Sequence, residues 1–331
     1  MKFHAMRTSF TLAASISLAV PALAFDQSAI SGTGGFVASI SGETIGSSIA
    51  PGADLNTILY GYPSNPQYPH FAWSIDSEQF SGFNSATATT NYSFTGYGST
   101  SSGSSSGTAS LGTITMSASN NAQNGLAFPM SAVNGGWKDS FTANAQGMTG
   151  MQGYAVVAVN VSASMEAHGF AGAAKVALTA YKNNVQLTKA VSGGHFIDGS
   201  QSDLIVTDNQ LAVWSVASYG YGENDASRYV SDQVLFAIPV TFGQSFSFGV
   251  YDVTFAGMRS ASSVPGNSTS QVNDTVTWGG VFGFFDNDGN KISGASLTSN
   301  LAAVPEPETY AMFLAGLGLI GAIARRKRFA A

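Results

Sequence analysis

The chain has 331 residues, room for one large domain or two ordinary ones, and only 10% of them are charged, against about 25% in an average soluble domain. It contains no cysteine, which excludes disulfides, zinc–thiolate centres and cysteine nucleophiles. The formal net charge of -6 hides basic ends: residues 25–304 hold seven Lys and Arg against 17 Asp and Glu, a net of -10. Nucleic acid is thereby excluded as a partner, because a phosphate backbone needs a clustered basic face. Scarce Glu, Lys and Arg, plentiful Val, Thr, Phe and Tyr, and 38 glycines favour short strands and turns over salt-bridged helices.

The first 24 residues read as a secretory signal. Lys2, His4 and Arg7 make a basic start, an apolar stretch runs from Phe10 to Val20, and Ala22-Leu23-Ala24 supplies the small-x-small cleavage pattern. Cleavage is expected after Ala24, with the Sec machinery and signal peptidase as the first partners. The apolar stretch is shorter than the roughly 20 residues a membrane span needs, and Pro21 ends it.

Residues 25–303 form the passenger. Its first third carries an aromatic cluster, Tyr60, Tyr62, Tyr68, Phe71 and Trp73. Such rings either pack under a long loop or present stacking faces to a glycan, in which case Tyr62, Tyr68 and Trp73 are the candidates. The Ser- and Gly-rich stretch 98–110 reads as a flexible loop within one β-rich body.

Beyond that loop, apolar or β-branched runs recur with Gly, Asn, Asp or Ser between them. They include Leu111 to Ala118, Tyr154 to Met165, Ala174 to Tyr181, Gln233 to Phe242, Ser245 to Phe255 and Thr275 to Phe285. That spacing predicts an all-β passenger, a β-sandwich of jelly-roll-like type. Phe246, Phe248 and Val250 alternate with smaller residues, as in a half-buried strand. Lys182-Asn183-Asn184 predicts a tight hairpin turn, since Asn tolerates positive φ, and Asp286-Asn287-Asp288-Gly289-Asn290 predicts another.

Chemical motifs are few. Asp286 and Asp288 resemble the opening of a calcium loop, but the position of the distal Glu is Leu297, so an Asp-Gly turn is the stronger reading. His70, His168 and His195 are the histidines left after signal removal, and no pair has metal-ligand spacing. His168 has a carboxylate nearby at Glu166. Gly103-Ser104-Ser105-Ser106-Gly107 fits the nucleophile-elbow pattern only inside a serine tract, where a match carries no weight. No catalytic residue and no cofactor is expected.

The tail, 304–329, has three separable parts. Val304-Pro305-Glu306-Pro307-Glu308-Thr309 is extended by its prolines, residues 310–324 are uncharged and Gly-rich, and Arg325, Arg326, Lys327 and Arg328 close it. By the positive-inside rule those four residues stay in the cytoplasm and leave the passenger outside. The segment 310–324 is a short hydrophobic helix that spans a bilayer only with local thinning.

The tail closely resembles the PEP-CTERM sorting signal of Gram-negative bacteria. The resemblance implies recognition by an exosortase, cleavage near Pro305-Glu306-Pro307, and passage from an inner-membrane intermediate to the cell surface, the outer membrane or the extracellular matrix alongside exopolysaccharide. The functional expectation is a non-catalytic structural component of the surface or biofilm matrix. A carbohydrate-binding module is the alternative, and a secreted hydrolase ranks third.

Overall fold

The structure, a computed structural model, describes residues 33–45, 72–96, 99–123, 127–169, 172–195, 201–206, 210–218, 225–258 and 267–299. Among them are sixteen strands and no helix. Alternation is the cause. In β5 (Thr113–Gln123) Ile114, Met116 and Ala118 face the interior, and in β7 (Gln152–Gly169) so do Val157, Val159, Val161 and Met165. That is the period-2 pattern of strands that bury one face.

All pairings are antiparallel, in two sheets of eight strands. The first sheet runs β12 (Ala212–Ala217), β8 (Gly172–Lys182), β14 (Ser245–Met258), β6 (Ala127–Asn144), β1 (Gly34–Ile45) and β2 (Ala72–Ser81). Short β9 (Val185–Gln186) pairs with β8, and β16 (Ser296–Ser299) with β6. The second runs β11 (Gln201–Val206), β10 (Lys189–His195), β13 (Ala226–Thr241), β7, β15 (Ser268–Phe285), β5, β4 (Ser99–Ser110) and β3 (Ser85–Gly96).

The sheets pack face to face. At one end of the interior Trp278 of β15 meets Trp137 and Phe141 of β6 and Phe248 of β14, with ring centroids 5.6 to 5.9 Å apart. At the other end Ser39 and Ser41 of β1, Thr90 of β3 and Ser105 of β4 are all buried, and their hydroxyls bond to one another at 2.6 to 3.0 Å. The seam beside them is closed by side chains. Thr87 N donates to Glu78 Oε2 at 2.6 Å, and Thr89 N donates to Asp76 Oδ2 at 2.7 Å, carrying β3 across to β2.

Two expectations are corrected. Where a loop was expected at 98–110, the described part, Ser99–Ser110, is a strand paired along its length with β3 and β5. Its small residues answer a close approach from the facing sheet. A Cβ on Gly107 would come within 2.6 Å of Val133 Cγ1 and 2.8 Å of Val37 Cγ2. The strand holding Phe246, Phe248 and Val250 is also more than half-buried, because Tyr251 on its other face is 5% exposed and lies 5.7 Å from the Phe36 ring.

The hairpin at Asn183-Asn184 forms as expected. Both residues take positive φ, 48° and 67°, between β8 and β9. Such a turn matches the twist of its two strands.

Candidate functional site

The outer face of the second sheet is the most distinctive surface among the described residues. Register places outward residues of six strands in rows that cross the sheet. One row is Thr87, Thr108, Thr115, Thr275, Ser162 and Ser231; the next is Thr89, Ser106, Ser117, Asn273, Ser164 and Tyr229. A third is Asn91, Ser104, Ser119, Gln271, Glu166 and Ser227. Within these three rows Glu166 is the sole charged residue and Tyr229, 73% exposed, the sole aromatic.

Hydroxyl and amide groups stand about 4.8 Å apart from strand to strand and about 6.8 Å apart along a strand. Neighbours bond in places, Ser104 to Ser119 at 2.9 Å and Ser106 to Ser117 at 2.8 Å. Two open grooves, of about 560 and 520 Å³, lie across this face. The larger runs from Thr87 to Tyr229, and the smaller reaches Glu166 and His168.

His168 marks the end of the smaller groove. Its Nδ1 is 3.0 Å from Asp225 Oδ2 and its Nε2 is 3.6 Å from Glu166 Oε2. The hydrogen bond to Asp225 is the main cause that raises the imidazole above its usual value, and the same bond lowers Asp225. Both ring nitrogens face carboxylates, so the three side chains form a surface charge cluster. Among the described residues no group of three His, Asp or Glu side chains is placed to hold a metal ion.

Asp286 is consumed by its own turn. Its carboxylate accepts from Asp288 N at 2.9 Å, from Asn290 N at 2.8 Å and from Asn290 Nδ2 at 3.0 Å, and these bonds hold its pKa down. Gly289 completes the turn at φ 81°. Ser104, Ser105 and Ser106 lie on β4 with alternating orientation, and Ser105 is buried. That extended geometry is unlike the strand-to-helix turn of a nucleophile elbow.

A second polar group lies between the sheets, and the sequence reading passed over it. Asp252 of β14 is fully buried, Asp274 of β15 is 3% exposed, and Thr254 is fully buried beside them. Among the described residues neither carboxyl, nor Thr254 Oγ1, makes a hydrogen bond of good geometry, although the two carboxyls, and Asp274 with Thr254, lie close enough to act on each other. Burial pushes both carboxyls above the usual carboxylate range, and for Asp252 the charge of Asp274 adds to it. The signal was legible in the alternation. Asp252 continues the inward series Phe246, Phe248, Val250, and Asp274 stands between inward Val272 and Val276. A further buried hub is Asn120, whose Oδ1 accepts from Tyr92 Oη and Ser131 Oγ at 3.2 Å each, while its Nδ2 donates to Ala256 O.

Several sequence candidates lie outside the described residues: Ala22 and Ala24, Tyr62, Tyr68, His70, and Val304 to Arg328 with the segment 310–324. Trp73 lies on β2 opposite Gly42, and His195 on β10 opposite Gln201, with side chains outside the description. Among the described residues no helix is long and apolar enough to cross a membrane.

The described residues form an all-β body of two antiparallel sheets, and the chain ends in a proline-boxed tail with a basic end. Residues 303–328 match the PEP-CTERM protein-sorting motif, at the C-terminal position typical of exosortase substrates. The motif implies an exported protein, anchored at the membrane before it is processed by exosortase. No curated protein matches the chain. Solved structures of infectious bursal disease virus align only remotely. The Gx strain gives 6% identity over 75% of this chain and 67% of that one, and the Gt strain 7% over 88% and 69%, each at a TM-score of 0.08, which carries no argument.

Proposed function

We propose that the passenger is a non-catalytic component of the cell surface or biofilm matrix, held to neutral exopolysaccharide by the outer face of its second sheet. The observation that supports this reading is the chemistry of the three rows, which carry hydroxyls and amides with a single charge among them. A hydroxyl both donates and accepts, as a sugar hydroxyl does. An uncharged array therefore suits a neutral polymer of hydroxyl groups, whereas an anionic one calls for Lys or Arg. An ordinary solvated face would carry mixed charge for solubility.

This reading moves the expected glycan contact from Tyr62, Tyr68 and Trp73 to β5, β7 and β15. The test is retention of the full chain on neutral and anionic polysaccharides at several salt concentrations, for the parent, for Ser117→Lys with Asn273→Lys, and for Tyr62→Ala with Trp73→Ala. Retention on neutral glycan that is independent of salt and lost in the Lys pair supports the proposal. Retention lost only in the aromatic pair points to the cluster before β2 instead. Turnover of any polysaccharide or ester substrate would overturn the non-catalytic role.

A further inference from the structure

The groups between the sheets, Asp252, Asp274 and Thr254, have no part in that reading. Fully buried polar atoms are nearly always hydrogen-bonded, and each exception calls for an explanation such as a bound water or ion. Here five such oxygens, four from the two carboxyls and Thr254 Oγ1, belong to side chains that act on one another across the sheets. Thr254 lies two residues from Asp252 on the same face of β14, and its hydroxyl is close enough to act on the Asp274 carboxyl. Among the described residues no lysine or arginine acts on either carboxyl. The buried Lys175 is not their partner; desolvation alone shifts it.

We propose that Asp252 and Asp274 bind one calcium ion between the two sheets, with Thr254 Oγ1 as a further ligand. A divalent cation cancels the charge of two carboxylates and satisfies all five oxygens at once. Calcium accepts bidentate carboxylates in a flexible shell of six to eight oxygens at 2.3–2.6 Å, so two carboxylates and a hydroxyl form most of such a shell. Magnesium demands a near-ideal octahedron and gives up its waters reluctantly, which suits a dry interior poorly. Zinc prefers nitrogen and sulfur ligands, and the five oxygens offer neither. The ion would join β14 of one sheet to β15 of the other in a chain that has no cysteine to cross-link them.

The experiment uses the full-length chain purified without chelator. Bound metal is measured by elemental mass spectrometry, and melting is followed with EDTA and after calcium is restored. The expected result is one equivalent of calcium per chain and a melting temperature that falls by about 5 °C or more in EDTA and recovers with calcium. The variant Asp252→Asn with Asp274→Asn, checked for its β-sheet far-UV spectrum, should bind no calcium and melt at the same temperature with and without EDTA. Parent protein that binds no calcium and melts identically in EDTA overturns the site, leaving two carboxyls held neutral by protons. A double variant that still binds an equivalent places the ion elsewhere and overturns it equally. Glycan retention is a separate readout, so failure of the ion site and failure of the polysaccharide reading are distinguishable.

Discussion

The two ends of the interior solve the same packing problem with different materials. At the end formed by β6, β14 and β15, large rings fill the space: Trp137, Phe141, Phe246, Phe248 and Trp278 meet at centroid distances of 5.6 to 6.1 Å. At the end formed by β1, β3 and β4, Ala86, Ala88, Ala109, Gly103 and Gly107 let the sheets approach, and the four-hydroxyl cluster lies among them. The first end draws its stability from apolar area, at roughly 25 cal/mol per Å² removed from water. The second has little apolar area to bury and depends on close fit and on hydroxyls satisfying one another.

That contrast is open to attack from both sides. Phe248→Ala should be the most damaging change, costing about 3–5 kcal/mol as a truncated buried aromatic, read by urea unfolding. Gly107→Ala tests the fit of the small-residue end. A single methyl there meets Val133 and Val37 at under 3 Å, and overpacking of that kind costs about 1–3 kcal/mol. Thr90→Val removes one hydroxyl from the cluster while Ser39 and Ser41 keep their bonds to Ser105, so the loss should be about 1 kcal/mol. If Thr90→Val proves as costly as Phe248→Ala, the hydroxyls carry more of the fold than packing does.

The smallest effect belongs outside the core. The folded pKa of His168 is raised, so its pairing stabilises the protein fully below the unfolded value of about 6.5 and the contribution is lost as pH rises through the folded value. The group is exposed and the effect correspondingly slight. In melting curves taken from pH 5 to pH 8, His168→Gln should flatten a shallow downward slope and leave the pH 8 value unchanged.

Legibility in the sequence followed side-chain size. β5, β7, β8, β13 and β15 were readable because Val, Ile, Met and Phe alternate in them or fill them. β4 was misread because serine and glycine resemble a linker when the neighbouring strand that requires small residues is unknown. β6 was missed for a related reason. Asn134-Gly135-Gly136 looks like a turn, yet it is the middle of an 18-residue strand, where a Cβ on Gly136 would meet Val250 O at 2.8 Å. The hydroxyl rows were hidden altogether. Alternation shows that Ser162 and Thr275 point outward, but only strand register shows that they stand side by side. The sorting motif, a local pattern, needed no register and was legible from its residues alone.

The carboxylates of Asp76 and Glu78 occupy backbone donors of β3, the outermost strand of its sheet. Molecules gathered densely on one surface meet edge to edge far more often than molecules free in solution, and an unguarded strand margin is a template for open-ended stacking into fibres. With two of those donors already taken, β3 is a poorer template for such stacking.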